Sequence, residues 1–198
     1  MTLREEHRRR TREALANAGL ELFLVQGFEA TTIDQIAAEA GVSRATAFRY
    51  FPSKEDLFYV RQHTRLDELR AALAAGIPAG ATAAQRLDLV RDAAMRVAAR
   101  YQDERAVVFA QERVIRASAR LQRFDLHVDA AWARAFEDAL AASSAPAERR
   151  RAAVQAGALV GAMRAVLRDW FESDGQGDLV ERAQEALGWL ALTAPEIS

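Results

Sequence analysis

The sequence contains no cysteine, only four prolines and only three histidines among its 198 residues. Without cysteine, neither a disulfide framework nor a thiolate metal site can form. His7, His63 and His127 match no paired metal-binding motif and no catalytic constellation occurs, so we expect neither an enzyme nor a cofactor or metal site. His127 stands between Asp125 and Asp129, which leaves a metal site there as an alternative to a solvated histidine.

Long apolar runs are also missing. The longest, residues 152–167, is interrupted by Gln155 and Arg164 and is shorter than the roughly 20 residues that a membrane span needs. The N-terminus has no charged-then-apolar signal segment, so we expect a cytoplasmic protein with no membrane partner. The formal net charge is −1, so any case for nucleic-acid binding depends on where the charges lie and not on their sum.

Residues 31–54, TTIDQIAAEAGVSRATAFRYFPSK, carry the most informative pattern. Thr32 and Gln35 have the spacing of a capping box, and apolar residues then recur at helical intervals until a glycine suited to a helix C-terminus. Ser43 caps a second short helix, which Pro52 ends. A helix, a glycine turn and a second capped helix form the helix-turn-helix arrangement of DNA-binding proteins.

This region resembles the N-terminal domain of TetR-like (tetracycline-repressor-like) regulators. The resemblance covers about residues 10–60 and is carried by three segments: ANAGLELFLVQGF at 16–28, TTIDQIAAEAGVS at 31–43 and FRYFPSKEDLF at 48–58. Ala45 and Phe48 depart from the family pattern, in which glycine and tyrosine are common. Over the rest of the chain the resemblance is only architectural.

The apolar periodicity and the scarcity of proline predict an all-α protein of about nine helices. The resemblance implies an N-terminal three-helix DNA-binding domain, residues 1–53, and a larger C-terminal helical domain for ligand binding and dimerisation, residues 54–198. The expected helices run from about 4–26, 33–40, 44–51, 54–75, 82–101, 103–117, 118–142, 147–172 and 178–192.

The outward face of the second helix of the motif is expected to enter the major groove. Arg44 lies in its first turn, where a bidentate contact to guanine is worth about 1–3 kcal/mol of discrimination. Hydroxyl groups nearby suit phosphates, and the resemblance implies that Lys54 holds the DNA backbone. Burial of Phe48 and Tyr50 in the core is the alternative for those two rings. The predicted DNA-binding residues are Thr32, Ser43, Arg44, Ala45, Thr46, Phe48, Arg49, Tyr50 and Lys54.

Two further sites are expected in the C-terminal helices. Amphipathic helices packed together commonly leave an apolar cavity, whose predicted lining residues are Phe109, Arg113, Phe124, His127, Trp132 and Met163. Small residues recur every fourth position from Ala153, so the last two helices are expected to form half of a four-helix dimer interface, as in TetR-like proteins. Burial within one subunit is the alternative. The predicted interface residues are Ala153, Gly157, Val160, Gly161, Arg164, Leu187 and Leu190.

These features together predict a homodimeric bacterial transcriptional regulator. We expect a repressor that binds double-stranded DNA at a palindromic operator and is released by an apolar or amphipathic small molecule. Residues 106–141 are also similar to the sensing domains of TetR-like regulators of acyl-CoA or fatty-acyl compounds, which ranks that class of ligand first. The alternatives are an all-α enzyme or binding protein, or a helical adaptor, that retains the N-terminal DNA-binding domain (the head, residues 1–53).

Overall fold

A computed structural model describes residues 2–190, and within that range the chain forms ten α-helices and no strand. The all-α prediction is therefore confirmed. The predicted end of the last helix near residue 192 lies outside the described residues. The helices are α1 (Leu3–Gln26), α2 (Ile33–Glu39), α3 (Arg44–Tyr50), α4 (Lys54–Phe58), α5 (Val60–Gly76), α6 (Ala83–Asp103), α7 (Arg105–Ala117), α8 (Ala119–Leu140), α9 (Pro146–Glu172) and α10 (Leu179–Trp189).

The additional helix results from a break at Tyr59, where the sequence predicts one continuous helix from 54 to 75. Tyr59 leaves helical geometry, with φ −87° and ψ 8°, and its side chain is fully buried. Its hydroxyl donates to the Leu121 carbonyl oxygen at 3.0 Å, and its ring stacks on Phe124 with the centroids 5.0 Å apart. The residue at which the helix divides into α4 and α5 is therefore also the residue that contacts Leu121 and Phe124.

The predicted caps of α2 and α3 are confirmed. The Thr32 hydroxyl accepts from the Gln35 N–H at 3.2 Å, and the Gln35 side chain accepts from the Thr32 N–H at 2.8 Å. Gly41 adopts φ +67°, a conformation that costs glycine no Cβ clash. The Ser43 hydroxyl accepts from the Thr46 N–H at 3.2 Å, so the turn and the second helix begin where the sequence predicts.

The described chain divides into two packing units. The first contains residues 2–64 and 106–126, and aromatic rings form much of its core: Phe23 lies 5.0 Å from Phe28 and 5.8 Å from Phe58 between centroids. The second contains residues 65–105 and 127–190, around a core that includes Val90 and Leu159. Packing units differ from functional domains, so the boundary at residues 53 and 54 stays a prediction.

No helix between residues 2 and 190 has the combined length and hydrophobicity that a membrane span requires. The most exposed large apolar side chains are Leu3, Val25, Leu126, Val154 and Trp189.

Candidate nucleic-acid interface

Helix α3 presents one face to the core and another to solvent. Ala47 is completely buried, whereas Ser43, Arg44, Ala45 and Arg49 are exposed. Phe48 is 41% exposed, so the alternative of a core position does not describe it. Thr46 and Tyr50 are half-buried. The face predicted to read DNA is therefore open to solvent along the length of the helix.

Arg44 is held in place by two contacts on this surface. Its Nη1 lies 3.0 Å from the Asp34 carboxylate of α2, and its guanidinium lies 5.4 Å from the centroid of the Phe48 ring. Both side chains of the ion pair are more than half exposed, and such pairs contribute only about 0.2–1 kcal/mol. The guanidinium is thus oriented in the free protein, and its release to a base edge requires little free energy.

Lys54 has a structural role that the sequence did not indicate. Its ammonium group donates to the carbonyl oxygens of Phe28 at 2.6 Å, Thr31 at 2.7 Å and Glu29 at 3.2 Å, and it lies 4.6 Å from the Phe28 ring centroid. Three contacts use all three N–H donors of the side chain. Lys54 therefore ties the start of α4 to the turn between α1 and α2. Its predicted contact with a DNA phosphate stays a prediction.

The corner between α7 and α8, residues 117–121, belongs to the same packing unit as the helix-turn-helix. The Ser118 hydroxyl donates to the Glu29 carboxylate at 2.6 Å, and this hydrogen bond holds the pKa of Glu29 below its usual value. Arg120 forms an ion pair with Glu55, which is 5% exposed. These contacts fasten the corner to both ends of the segment that carries α2 and α3.

A pair of buried glutamines adds to the attachment of α7. The Gln111 amide donates to the Phe58 carbonyl oxygen at 3.2 Å, and the Gln62 amide donates to the Gln111 side-chain oxygen at 3.3 Å. Both glutamines are more than nine-tenths buried. Sequence reasoning missed these residues because their partners lie 49 and 53 positions away, beyond the reach of any local pattern.

The residues predicted to line a ligand cavity are divided between the two packing units. Phe109, Arg113 and Phe124 belong to the first, where the Phe124 ring stacks on Tyr59. The other three belong to the second, and they are His127, Trp132 and Met163. Among residues 2–190, no group of three histidine, aspartate or glutamate side chains has a metal-binding arrangement. The cavity and its lining stay predictions.

The strip of small residues on α9 is open surface. Ala153, Gly157 and Gly161 are exposed, and a Cβ added at either glycine would meet no atom within 4 Å. Val154 beside the strip is 72% exposed, and Trp189 on α10 is 74% exposed.

The remaining predicted interface residues are less accessible. Val160 and Leu190 are half-buried against the core, and Arg164 pairs with Asp129 at 3.1 Å. Leu187 is only 5% exposed, so the alternative of burial within one subunit describes that residue.

Comparison with known proteins finds relatives of the helix-turn-helix segment. The profile of "Bacterial regulatory proteins, tetR family" matches residues 15–59. The transcriptional regulator TcmR of Streptomyces glaucescens is 51% identical over 55 residues, which are 28% of this chain and 24% of that protein. The chain matches only about a quarter to a third of the length of such curated relatives.

Solved structures extend the likeness to the whole fold. The TetR-family repressor FadR of Thermus thermophilus, in complex with lauroyl-CoA, is 22% identical with a TM-score of 0.54, over 94% of this chain and 99% of that one. FadR of Bacillus subtilis, in complex with stearoyl-CoA, is 16% identical with a TM-score of 0.61, over 93% and 99%. At these identities the likeness concerns the fold alone. The helix-turn-helix segment of the chain is thus similar to the TetR family of bacterial regulatory proteins, and the fold of the whole chain is similar to that of the two FadR structures.

Proposed function

We propose that the protein is a homodimeric transcriptional regulator that represses by binding a palindromic operator and is released by a small molecule. The observation that carries this proposal is the solvent-exposed face of α3, with Arg44 oriented on it, inside the segment that matches the family profile. Arg44 reads a guanine in the major groove, together with the neighbouring exposed side chains of α3. Thr32, Ser43, Tyr50 and Lys54 contact phosphates.

The proposed dimer contact is the exposed strip of small residues on α9. Exposed Ala153, Gly157 and Gly161 allow another helix to approach closely, and Val154 of α9 and Trp189 of α10 are exposed apolar side chains. A second copy of the chain that covers this face buries all of them. The two copies of α3 must then lie about one DNA turn apart, about 34–36 Å, to read the two halves of a palindrome.

The effector is an apolar or amphipathic small molecule, with acyl-CoA and fatty-acyl compounds as the first class to test. This choice is supported by the lauroyl-CoA and stearoyl-CoA complexes of the two FadR proteins that share the fold.

Control of the DNA-binding head passes through the α7–α8 corner. Three contacts hold this corner: the Ser118 hydroxyl donates to Glu29, Arg120 pairs with Glu55, and the Leu121 carbonyl oxygen accepts from Tyr59. Glu29 precedes α2 and α3 in the chain, whereas Glu55 and Tyr59 follow them. A ligand that favours another position of α7 and α8 thereby moves the head. It can shift the equilibrium only by the difference in its affinity for the two states.

A gel-shift titration with the protein's own promoter region, at moderate salt, tests the proposal. We expect binding that favours a palindromic fragment over a scrambled one of equal length, and release when lauroyl-CoA is added. Equal affinity for both fragments would overturn operator recognition. A stable dimer that binds neither fragment would instead support the adaptor, and release by neither lauroyl-CoA nor free laurate would exclude the fatty-acyl class.

A further inference from the structure

A groove lies between α5 and α6, wholly within the second packing unit. Its volume is about 190 Å³. None of the residues predicted to line the effector cavity borders it. The residues that do are Arg65, Glu68, Leu69 and Ala72 of α5 and Ala93, Arg96, Val97 and Arg100 of α6. Three arginines and an apolar floor therefore share one small site.

The most unusual of these residues is Arg65, which is 3% exposed. One of its nitrogens pairs with Glu104, and its guanidinium lies 4.6 Å from the Tyr101 ring centroid. The other two nitrogens, Nε and Nη1, are buried and have no hydrogen-bond partner among the described residues. Buried donors are almost always satisfied, so an arginine with two unpaired nitrogens is a position where an added acceptor gains free energy.

The charges around the groove leave an excess of one positive charge. Arg100 pairs with both Glu68 and Glu104, and Arg96 pairs with no carboxylate between residues 2 and 190. Burial raises the pKa of Glu104, but the hydrogen bond from Arg100 and the charge of Arg65 outweigh it and hold the pKa below its usual value. Three guanidinium groups therefore face two carboxylates.

We propose that the α5–α6 groove binds a small amphipathic anion, a carboxylate or phosphate monoester with a short apolar chain. The head group is received by Arg96 and Arg100 and, after a small movement of these side chains, by the unused donors of Arg65. Guanidinium groups match both head groups through paired hydrogen bonds. The chain lies on Leu69, Ala72, Ala93 and Val97.

The size of the groove limits the ligand. Pockets for drug-sized molecules measure about 300–1,000 Å³, and this groove is smaller. It therefore takes a short-chain compound and not a long acyl group. Binding at this site does not require DNA, a dimer or the proposed effector cavity, so the inference stands apart from the proposed function.

Calorimetric titration and thermal unfolding of the full chain test the inference with four probes: hexanoate, hexyl phosphate, hexanol and inorganic phosphate. A ligand of the native state raises the unfolding temperature in a saturable way. We expect saturable binding of hexanoate or hexyl phosphate, and the better of the two identifies the head group. Hexanol or inorganic phosphate binding as well as both amphiphiles would overturn the proposal, and so would the absence of binding by either amphiphile.

Variants at exposed positions locate the site without disturbing the core. Ala72→Phe fills the groove and is expected to abolish binding, whereas Ala71→Phe, at the next exposed position of α5, is expected to retain it. Arg96→Gln is expected to weaken binding by about tenfold, because one charge-assisted hydrogen bond is lost. Equal affinities of Ala72→Phe and Ala71→Phe would place the ligand elsewhere and overturn the assignment.

Discussion

Lys54 uses each of its ammonium hydrogens on a backbone carbonyl, and at the scale of single residues this makes it a stabilising side chain of the head. The three carbonyls belong to the turn between α1 and α2, which precedes the helix-turn-helix directly. A lysine here can therefore act on DNA affinity in two ways, through a phosphate or through the position of the turn. Stability measurements separate the two.

We expect Lys54→Met to lower the free energy of unfolding by about 2 kcal/mol, because hydrogen bonds from a charged donor are lost and the carbonyls must find other partners. Arg49→Met, an exposed substitution on α3, is expected to change it by less than about 0.5 kcal/mol. Denaturant titration followed by circular dichroism gives both values. A Lys54→Met protein as stable as Arg49→Met would show that the three carbonyl contacts carry no net stability.

Arg44 is expected to carry base preference. Arg44→Ala should reduce the discrimination between operator and random DNA by about 1–3 kcal/mol, since a bidentate guanine contact is removed. Asp34→Ala is the matched variant, because it removes the ion pair but keeps the guanidinium. Fluorescence anisotropy with the two DNAs measures the ratio. If Asp34→Ala lost as much discrimination as Arg44→Ala, the loss could not be attributed to removal of the guanidinium, and the assignment of base preference to Arg44 alone would be contradicted.

At the scale of helices, the break at Tyr59 shows how one side chain interrupts a regular pattern. Val60 and the residues after it continue the helical periodicity, so local sequence predicts a single helix. The bond from Tyr59 to Leu121 spans 62 positions and has no local signature. The bond lies at the junction of α4 and α5, so α8 contacts the point where these two helices meet.

Tyr59→Phe is expected to lower the free energy of unfolding by about 1 kcal/mol, because the buried hydrogen bond from its hydroxyl to the Leu121 carbonyl oxygen is lost. It should also reduce the release of operator DNA by effector, if control passes through the α7–α8 corner. For the stability measurement alone, Tyr50→Phe, which removes the hydroxyl of a half-buried tyrosine on α3, provides the comparison. Unchanged release by Tyr59→Phe, with the loss of stability confirmed, would exclude this route of control.

Asp178 at the start of α10 gives a prediction about pH. Its carboxylate accepts from the backbone N–H groups of Val180 and Glu181 and from the Gln102 amide, which together hold its pKa below the ordinary 3.8. A lowered folded-state pKa contributes stability that is present above about pH 4 and is lost as the pH falls through the folded value. We expect Asp178→Asn to show a shallower loss of stability between pH 5 and pH 2 in urea titrations. Parallel curves for the two proteins would contradict this.

At the scale of the whole molecule, the small-residue strip of α9 is the proposed dimer contact. Gly157→Arg places a long charged side chain where close approach is proposed, and we expect the dimer dissociation constant to rise about a hundredfold or more. Operator affinity should fall with it. The monomer fold should be unaffected, because a side chain at this glycine meets open space.

Ala84→Arg, at an exposed position of α6, is the control for added charge and helix surface. Light scattering after size-exclusion chromatography reports the assembly state of both variants. A Gly157→Arg protein that stays dimeric would remove α9 from the proposed interface.

The parts of the fold that could be predicted are those with local causes. The caps at Thr32 and Ser43 and the glycine turn between them depend on residues within four positions, so the helix-turn-helix could be read from the sequence. The contacts of Ser118 with Glu29 and of Gln111 with Phe58 span 89 and 53 positions and could not. Leu187 shows the same limit, because its periodicity gives an apolar face but not the neighbour that covers it.

The attachment of the α7–α8 corner bears on the engineering of hybrid sensors. A chimera that transplants residues 2–53 alone onto another regulator leaves Glu29 without Ser118, and one that extends to residue 64 still leaves Glu55 without Arg120. The longer graft also leaves the Tyr59 hydroxyl without the Leu121 carbonyl oxygen. The unit to transfer is therefore discontinuous in sequence. A hybrid that keeps these contacts needs residues 106–126 as well as residues 2–64.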